Sequence, residues 1–76
     1  MMDKFEIIEE LVINKKTIVL FGNFSDGDNT WGKETWIYKG NGIFNYTLDD
    51  EFSRDCDIHD IKNGLFMDQI QNIQVL

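Results

Sequence analysis

The single cysteine and the single histidine of the chain, Cys56 and His59, are its first candidates for chemistry. On a helix their spacing puts a thiol and an imidazole on one face, which is half of a zinc site or a nucleophile beside its base. A structural zinc ion needs four ligands, and the chain has no further cysteine or histidine to supply them. A buried thiol beside a surface imidazole is the simpler interpretation.

Two further patterns begin like ligand-binding loops and do not continue as such. Asp26-x-Asp28 opens like a calcium loop, but the sixth and twelfth positions hold Trp31 and Ile37 instead of glycine and glutamate. The glycines of residues 40–42 precede strand-like residues, whereas a phosphate loop would lead into a helix. These patterns predict no metal, no cofactor and no catalytic residue, and we expect a protein that is not an enzyme.

The acidic side chains are the strongest functional signal in the sequence. Fourteen acidic residues stand against seven basic ones, and the net charge of −7 repels nucleic acid and anionic membranes. Charges spaced like successive phosphates, beside an aromatic anchor, favour a basic, nucleic-acid-binding surface of a partner protein. A solvated acidic face that only keeps the chain soluble is the alternative. The predicted contact residues are Asp26, Asp28, Trp31, Glu34, Asp49, Asp50, Glu51, Asp55 and Asp57.

The elements that position these residues follow from hydrophobic periodicity. Residues 3–13 predict an amphipathic helix, with Asp3 and Glu6 as its capping box. The apolar run of residues 17–24 predicts a strand, and residues 25–32 predict a turn-rich loop that carries Trp31. The alternating patterns of 34–39 and 43–48, on either side of a glycine-containing turn, predict a hairpin. These three strands form a three-stranded antiparallel β-meander that a helix covers on one face.

The last third of the chain predicts one or two helices. Ser53 is a candidate N-cap for a helix that ends near 62–65, and residues 66–76 fit either a helix or a short final strand. The expected fold is therefore a single α+β domain over 1–76, with an N-terminal helix, the meander and one or two C-terminal helices. No signal peptide, disulfide or membrane-spanning run is indicated, which favours a cytoplasmic protein.

The predicted layout resembles the small anti-CRISPR proteins, which are phage-encoded inhibitors of RNA-guided nucleases. The similar stretches are the opening helix leading into 17–20, the hairpin 38–44 and the helix stop 62–65. The resemblance implies an acidic domain that seats in a basic nucleic-acid channel and blocks loading. It carries no motif from which individual functional residues follow.

Two other functions fit the same sequence. An immunity protein or antitoxin against a toxic nuclease would use the same charge complementarity on another target. A homo-oligomeric structural or assembly module would pair through an exposed sheet edge or through the apolar end 73–76. The sequence leaves open whether the acids form one continuous face.

Overall fold

A computed structural model describes residues 1–76 as two α-helices and one five-stranded antiparallel sheet. The strands lie in the order β4-β3-β2-β1-β5, so β4 and β5 are the two edges. The elements are α1 (Lys4–Val12), β1 (Ile18–Asp26), β2 (Asn29–Gly40), β3 (Ile43–Leu48), β4 (Phe52–Cys56), α2 (Ile58–Gly64), a 3₁₀ turn (Met67–Gln69) and β5 (Ile70–Val75).

The predicted three-stranded meander followed by one or two C-terminal helices is wrong, although the fold is α+β. Residues 52–56, predicted as the start of a helix capped by Ser53, form the edge strand β4 on β3. Their side chains are mostly polar and exposed, so they lack the alternating apolar pattern that identifies a half-buried strand. The helix begins later, where Asp57 accepts a hydrogen bond from the backbone of Asp60 in a second capping box.

The second missing strand is β5, and it settles the stretch 66–76 that the sequence left open. β5 pairs antiparallel with β1, from Ile18 opposite Val75 to Gly22 opposite Ile70. Mutual backbone hydrogen bonds between Thr17 and Leu76 continue this pairing beyond the strand. β1 lies between β2 and β5 in the sheet, and Ile18, Val19 and Leu20 of its apolar run are buried.

The stretch 25–32, predicted as a loop, is mostly part of the sheet. β1 extends to Asp26 and β2 starts at Asn29, which leaves a tight turn between them. Gly27 adopts φ +63° in this turn, a conformation that glycine accepts without strain. Trp31 therefore lies on a strand, opposite Phe24, and is held by the hairpin.

The core lies between one face of the sheet and the helices. α1 packs on β1 and β2 and α2 packs on β3. The predicted capping box of α1, Asp3 with Glu6, is confirmed. The ten buried residues of the core cluster are Ile7, Leu11, Ile18, Leu20, Phe24, Trp36, Phe44, Ile61, Leu65 and Ile70.

The sheet is irregular at Gly22, where β1 changes register with both of its neighbours, and between Tyr38 and Gly40 in the pairing of β2 with β3. A Cβ atom at Gly22 would lie 2.0 Å from the backbone oxygen of Gln69, so only glycine lets the two segments approach this closely.

No helix has the length and apolar character that crossing a bilayer requires.

Candidate functional site: an aromatic and acidic cleft

An open cleft of about 720 Å³ lies on the helix-bearing side of the sheet, over β2, β3 and β4. Its walls combine aromatic rings with carboxylates, and Arg54 is the only basic residue among them. The aromatic members are Trp31, Trp36, Tyr46, Phe52 and Phe66. The acidic members are Asp26, Glu34, Asp49, Glu51, Asp55 and Asp60. We refer to these residues together with Arg54 as the cleft.

Glu34 is the one buried charged residue of the protein, with only 3% of its surface exposed. Its two carboxylate oxygens each accept an indole N–H, at 2.7 Å from Trp31 Nε1 and 2.9 Å from Trp36 Nε1. Burial raises the pKa of Glu34, and the two indole hydrogen bonds oppose this effect because they favour the ionised form. Both tryptophans of the chain are thus fixed by one carboxylate at the cleft.

Trp31 lies beside the irregularity in β1. On a regular strand, residues 31 and 34 would point to opposite faces of the sheet. The register shift between Phe21 and Phe24 changes the pairing at this point, and the hydrogen bond from Trp31 to Glu34 shows that its indole reaches the cleft face. The ring of Trp31 stacks on Phe24, with the centroids 6.0 Å apart.

Six of the nine predicted contact residues lie in the cleft, namely Asp26, Trp31, Glu34, Asp49, Glu51 and Asp55. The other three lie outside its lining. Asp28 is exposed in the turn between β1 and β2, Asp50 in the turn between β3 and β4, and Asp57 at the start of α2. The structure thus joins the two acidic groups that are separated in the sequence, since β2 and β3 are neighbours and β4 follows β3.

Several of these acids also have contacts within the fold. Asp49 Oδ1 accepts backbone N–H groups of β2 from Gly32 at 2.9 Å and Lys33 at 3.0 Å, which ties the β3–β4 turn to β2. Asp50 forms an ion pair with Lys33 at 2.9 Å. Asp49 therefore has a structural contact besides its place in the cleft.

The carboxylates of Asp55 and Asp57 are likewise engaged. Hydrogen bonds from Asn45 and from Lys39 lower the pKa of Asp55. The pKa of Asp57 is lowered chiefly by the backbone N–H of Asp60, which it caps. Asp26 and Glu51 form no side-chain hydrogen bond, so among the acids of the cleft they are free to meet a partner.

Six cleft residues are absent from the predicted contact residues, namely Trp36, Tyr46, Phe52, Arg54, Asp60 and Phe66. The sequence indicates core side chains at Trp36 and Tyr46, and in the structure their rings pack together with centroids 5.0 Å apart. Arg54 belongs to β4, which the sequence did not predict. Phe66 is 39% exposed, and the exposure of a ring at a concave surface becomes visible only once the chain is folded.

Cys56 lies at the edge of the cleft, but its surroundings suppress thiolate formation. Burial, together with the nearby charges of Asp60 and Asp57, raises the pKa of the Cys56 thiol to about 11. His59 is exposed on α2 and forms no hydrogen bond or ion pair with Cys56. No group of three or more His, Cys, Asp or Glu side chains is arranged to hold a metal ion.

No protein-family model, no curated protein and no solved structure matches this chain.

Proposed function

We propose that the domain binds a basic, nucleic-acid-binding surface of a partner protein and keeps nucleic acid from it, without catalysing a reaction. The observation that carries this proposal is the composition of the cleft, in which six carboxylates and five aromatic rings surround a single arginine. A cationic protein surface is complementary to such a site in charge, whereas a nucleic acid is repelled by it.

Little of the negative charge is neutralised within the fold. The protein has two ion pairs, Lys33 with Asp50 and Lys39 with Asp55, both between partly exposed side chains. Most of the fourteen acidic side chains therefore project an unscreened negative field. Such a field steers a basic partner toward the domain and makes the association rate fall with added salt.

The aromatic rings of the cleft supply what charge alone does not. Exposed carboxylates orient a partner, but aromatic anchors that lose contact with water contribute most of the energy of an interface. Phe52 and Phe66 expose large ring areas inside the cleft, and Trp31 is half-buried beside them. A partner that covers these rings would gain from their burial and stay bound longer.

The same surroundings favour binding over catalysis. At neutral pH a thiol with a pKa of about 11 is protonated, so Cys56 is a poor nucleophile. Both oxygens of Glu34 already accept indole N–H groups, which occupies the most buried carboxylate. What is left at the surface of the cleft is suited to contact a partner.

Two classes of partner satisfy this chemistry. An RNA-guided nuclease holds nucleic acid in a basic channel, as the resemblance to anti-CRISPR proteins implies. A toxic nuclease neutralised by an immunity protein or antitoxin offers a similar surface. The proposal covers both, because the contact surface on this domain would be the same.

Affinity capture followed by displacement tests the proposal. The tagged domain is incubated with a lysate of its native host at low and moderate salt, and each retained protein is purified. Labelled nucleic acid bound to that protein is then titrated with the domain, and displacement is followed by fluorescence polarisation. We expect a nucleic-acid-binding protein to be retained at low salt and its nucleic acid to be displaced.

A pair of charge-matched variants locates the surface. Asp26→Asn with Glu51→Gln neutralises two cleft acids that form no hydrogen bond through their side chains, and displacement should need about tenfold more of this variant. Glu9→Gln with Asp68→Asn makes the same charge change at exposed positions outside the cleft. Equal losses in the two variants would trace binding to net charge instead of the cleft. Failure to displace nucleic acid from any retained protein would end the proposal.

A second candidate, self-association, is favoured by the outer edge of β5. This edge strand contains no charged residue, and charged residues are the usual protection against edge-to-edge pairing. The opposite edge, β4, carries Arg54 and Asp55. Light scattering across a dilution series measures the oligomeric state, and Gln74→Lys should shift a β5-paired dimer to monomer. A wild-type protein that stays monomeric at every concentration excludes this candidate.

A further inference from the structure

We infer that the cleft accepts an arginine side chain of the partner, with the guanidinium group against the aromatic walls and surrounded by the carboxylates. The inference rests on the proposed function, since a basic partner surface is what would deliver such a side chain. It goes further by naming one residue type and the place where that residue binds.

The shape and lining of the cleft fit a long side chain with a flat charged end. Its volume of about 720 Å³ lies within the range of pockets that enclose most of a small ligand. Tyr46, Phe52 and Phe66 offer ring surface for the aliphatic stem and for stacking of the planar head. A guanidinium group stacks on such rings and is more weakly hydrated than the ammonium group of lysine, so its transfer from water costs less.

The charges of the cleft complete the fit. The carboxylates of Asp26 and Glu51 have no hydrogen-bond partner within the fold, and a carboxylate can accept two parallel N–H groups from one guanidinium. Glu34 uses one lone pair of each oxygen for an indole N–H, so each oxygen keeps a second lone pair. A cation in the cleft also compensates the buried charge of Glu34, which has no ion pair in the free protein.

Arg54 distinguishes a site for a cation from a site for an anion. It belongs to the cleft, yet neither of the two ion pairs of the protein includes it. Its guanidinium repels an incoming arginine and competes with it for the same carboxylates. Replacing Arg54 with a neutral residue should therefore strengthen arginine binding, whereas a site built for an anion would be weakened by the same change.

Nuclear magnetic resonance offers a direct readout, because both indole N–H groups of the protein lie at the cleft. The ¹⁵N-labelled domain is titrated with acetyl-Gly-Arg-Gly-amide, and with peptides that carry lysine or citrulline in place of arginine. Citrulline has the shape of arginine without its charge. We expect the signals of Trp31 and Trp36 to shift with the arginine peptide, at least threefold more weakly with lysine, and not with citrulline.

Two exposed-site variants extend the titration. Arg54→Gln should lower the dissociation constant of the arginine peptide about threefold, and Glu51→Gln should raise it about threefold, as expected for one charge at close range in water. A lysine or citrulline peptide that binds as tightly as the arginine peptide overturns the inference. So does weaker binding by Arg54→Gln, with dispersed amide signals as proof that the variant is folded.

The outcome for this inference is separate from the outcome for the proposed function. If the domain displaces nucleic acid from its partner but the arginine peptide leaves both indole signals unchanged, the arginine site is refuted and the basic-surface binding stands. If the peptide binds but no displacement occurs, the arginine site stands and the proposed competition with nucleic acid fails.

Discussion

Replacing Glu34 with glutamine tests whether one carboxylate holds both tryptophans in place. In the native protein each oxygen accepts one indole N–H, from Trp31 and from Trp36. A glutamine side chain has a single oxygen, and its amide nitrogen would confront the second indole as another donor. Because the substitution preserves the size and shape of the side chain, it isolates the loss of one acceptor and of the charge.

The expected magnitude follows from the burial of this site. Glu34 is 3% exposed, so water does not replace the lost acceptor. An unpaired buried N–H costs about 1–3 kcal/mol, and the surviving hydrogen bond weakens by roughly 1 kcal/mol because its acceptor becomes neutral. Removal of a buried charge recovers part of the desolvation cost that raises the pKa of Glu34. We expect the unfolding free energy at pH 7 to fall by about 1–3 kcal/mol.

Urea unfolding followed by far-ultraviolet circular dichroism measures this loss without depending on the tryptophans. A small domain loses about 1 kcal/mol of stability per molar urea, so the midpoint of Glu34→Gln should fall by roughly 1 M or more. Glu51→Gln removes the same charge at an exposed position and should change stability by less than about 0.5 kcal/mol. A Glu34→Gln midpoint at or above that of the native protein would show that desolvation outweighs the two hydrogen bonds.

Three further predictions concern other features. Gly22→Ala should lower the unfolding free energy by about 1–3 kcal/mol, since its Cβ would lie 2.0 Å from a backbone oxygen. Gly64→Ala is the control, because the space around Gly64 is open. Equal thermal midpoints for the two variants would contradict the close approach at Gly22. Because the pKa of Glu34 is raised by folding, this carboxyl binds more protons in the folded than in the unfolded chain just above pH 4.5, so its contribution to stability should fall as the pH rises through that window. In Glu34→Gln the fall of the unfolding free energy with pH should be shallower than in the native protein. Identical profiles of unfolding free energy against pH for the two proteins would contradict the raised pKa of Glu34. Cys56, with its pKa at about 11, should be alkylated by iodoacetamide at pH 8 far more slowly than in the urea-unfolded chain, and similar rates would disprove the shift.

The sequence predicted those elements whose residues carry a strong local pattern. The capping box at Asp3, the apolar run 18–21 and the glycine-containing turn at 40–42 identified α1, β1 and the β2–β3 hairpin. β4 was not predicted and β5 was only one of two alternatives, because edge strands are stabilised by pairing with a neighbour and their own side chains are largely polar. The five-stranded sheet was therefore beyond a reading of local periodicity.

The cleft was predictable in part, for a similar reason. The acids on both sides of Trp31 and after residue 48 were visible as charge clusters in the sequence, and adjacent strands bring six of the nine predicted residues together. The pairing of Glu34 with two indoles was not predictable, because residues 31 and 34 point to opposite faces of a regular strand and the hydrogen bond between them forms beside the register shift of β1 near Gly22. The orientation of a side chain beside a register shift arises from tertiary packing and cannot be predicted from the spacing of residues in the sequence.

The pairing of β1 with β5 joins two strands that lie far apart in the chain. The other strand pairs join segments adjacent in sequence, so their turns close at small entropic cost, whereas β5 must return across the whole sheet. Until it docks, the edge of β1 with its apolar run 18–21 stays open. A chain in which β5 has come away from β1 would expose a four-stranded sheet with an unpaired apolar edge, and β5 of a second chain could pair with that edge instead.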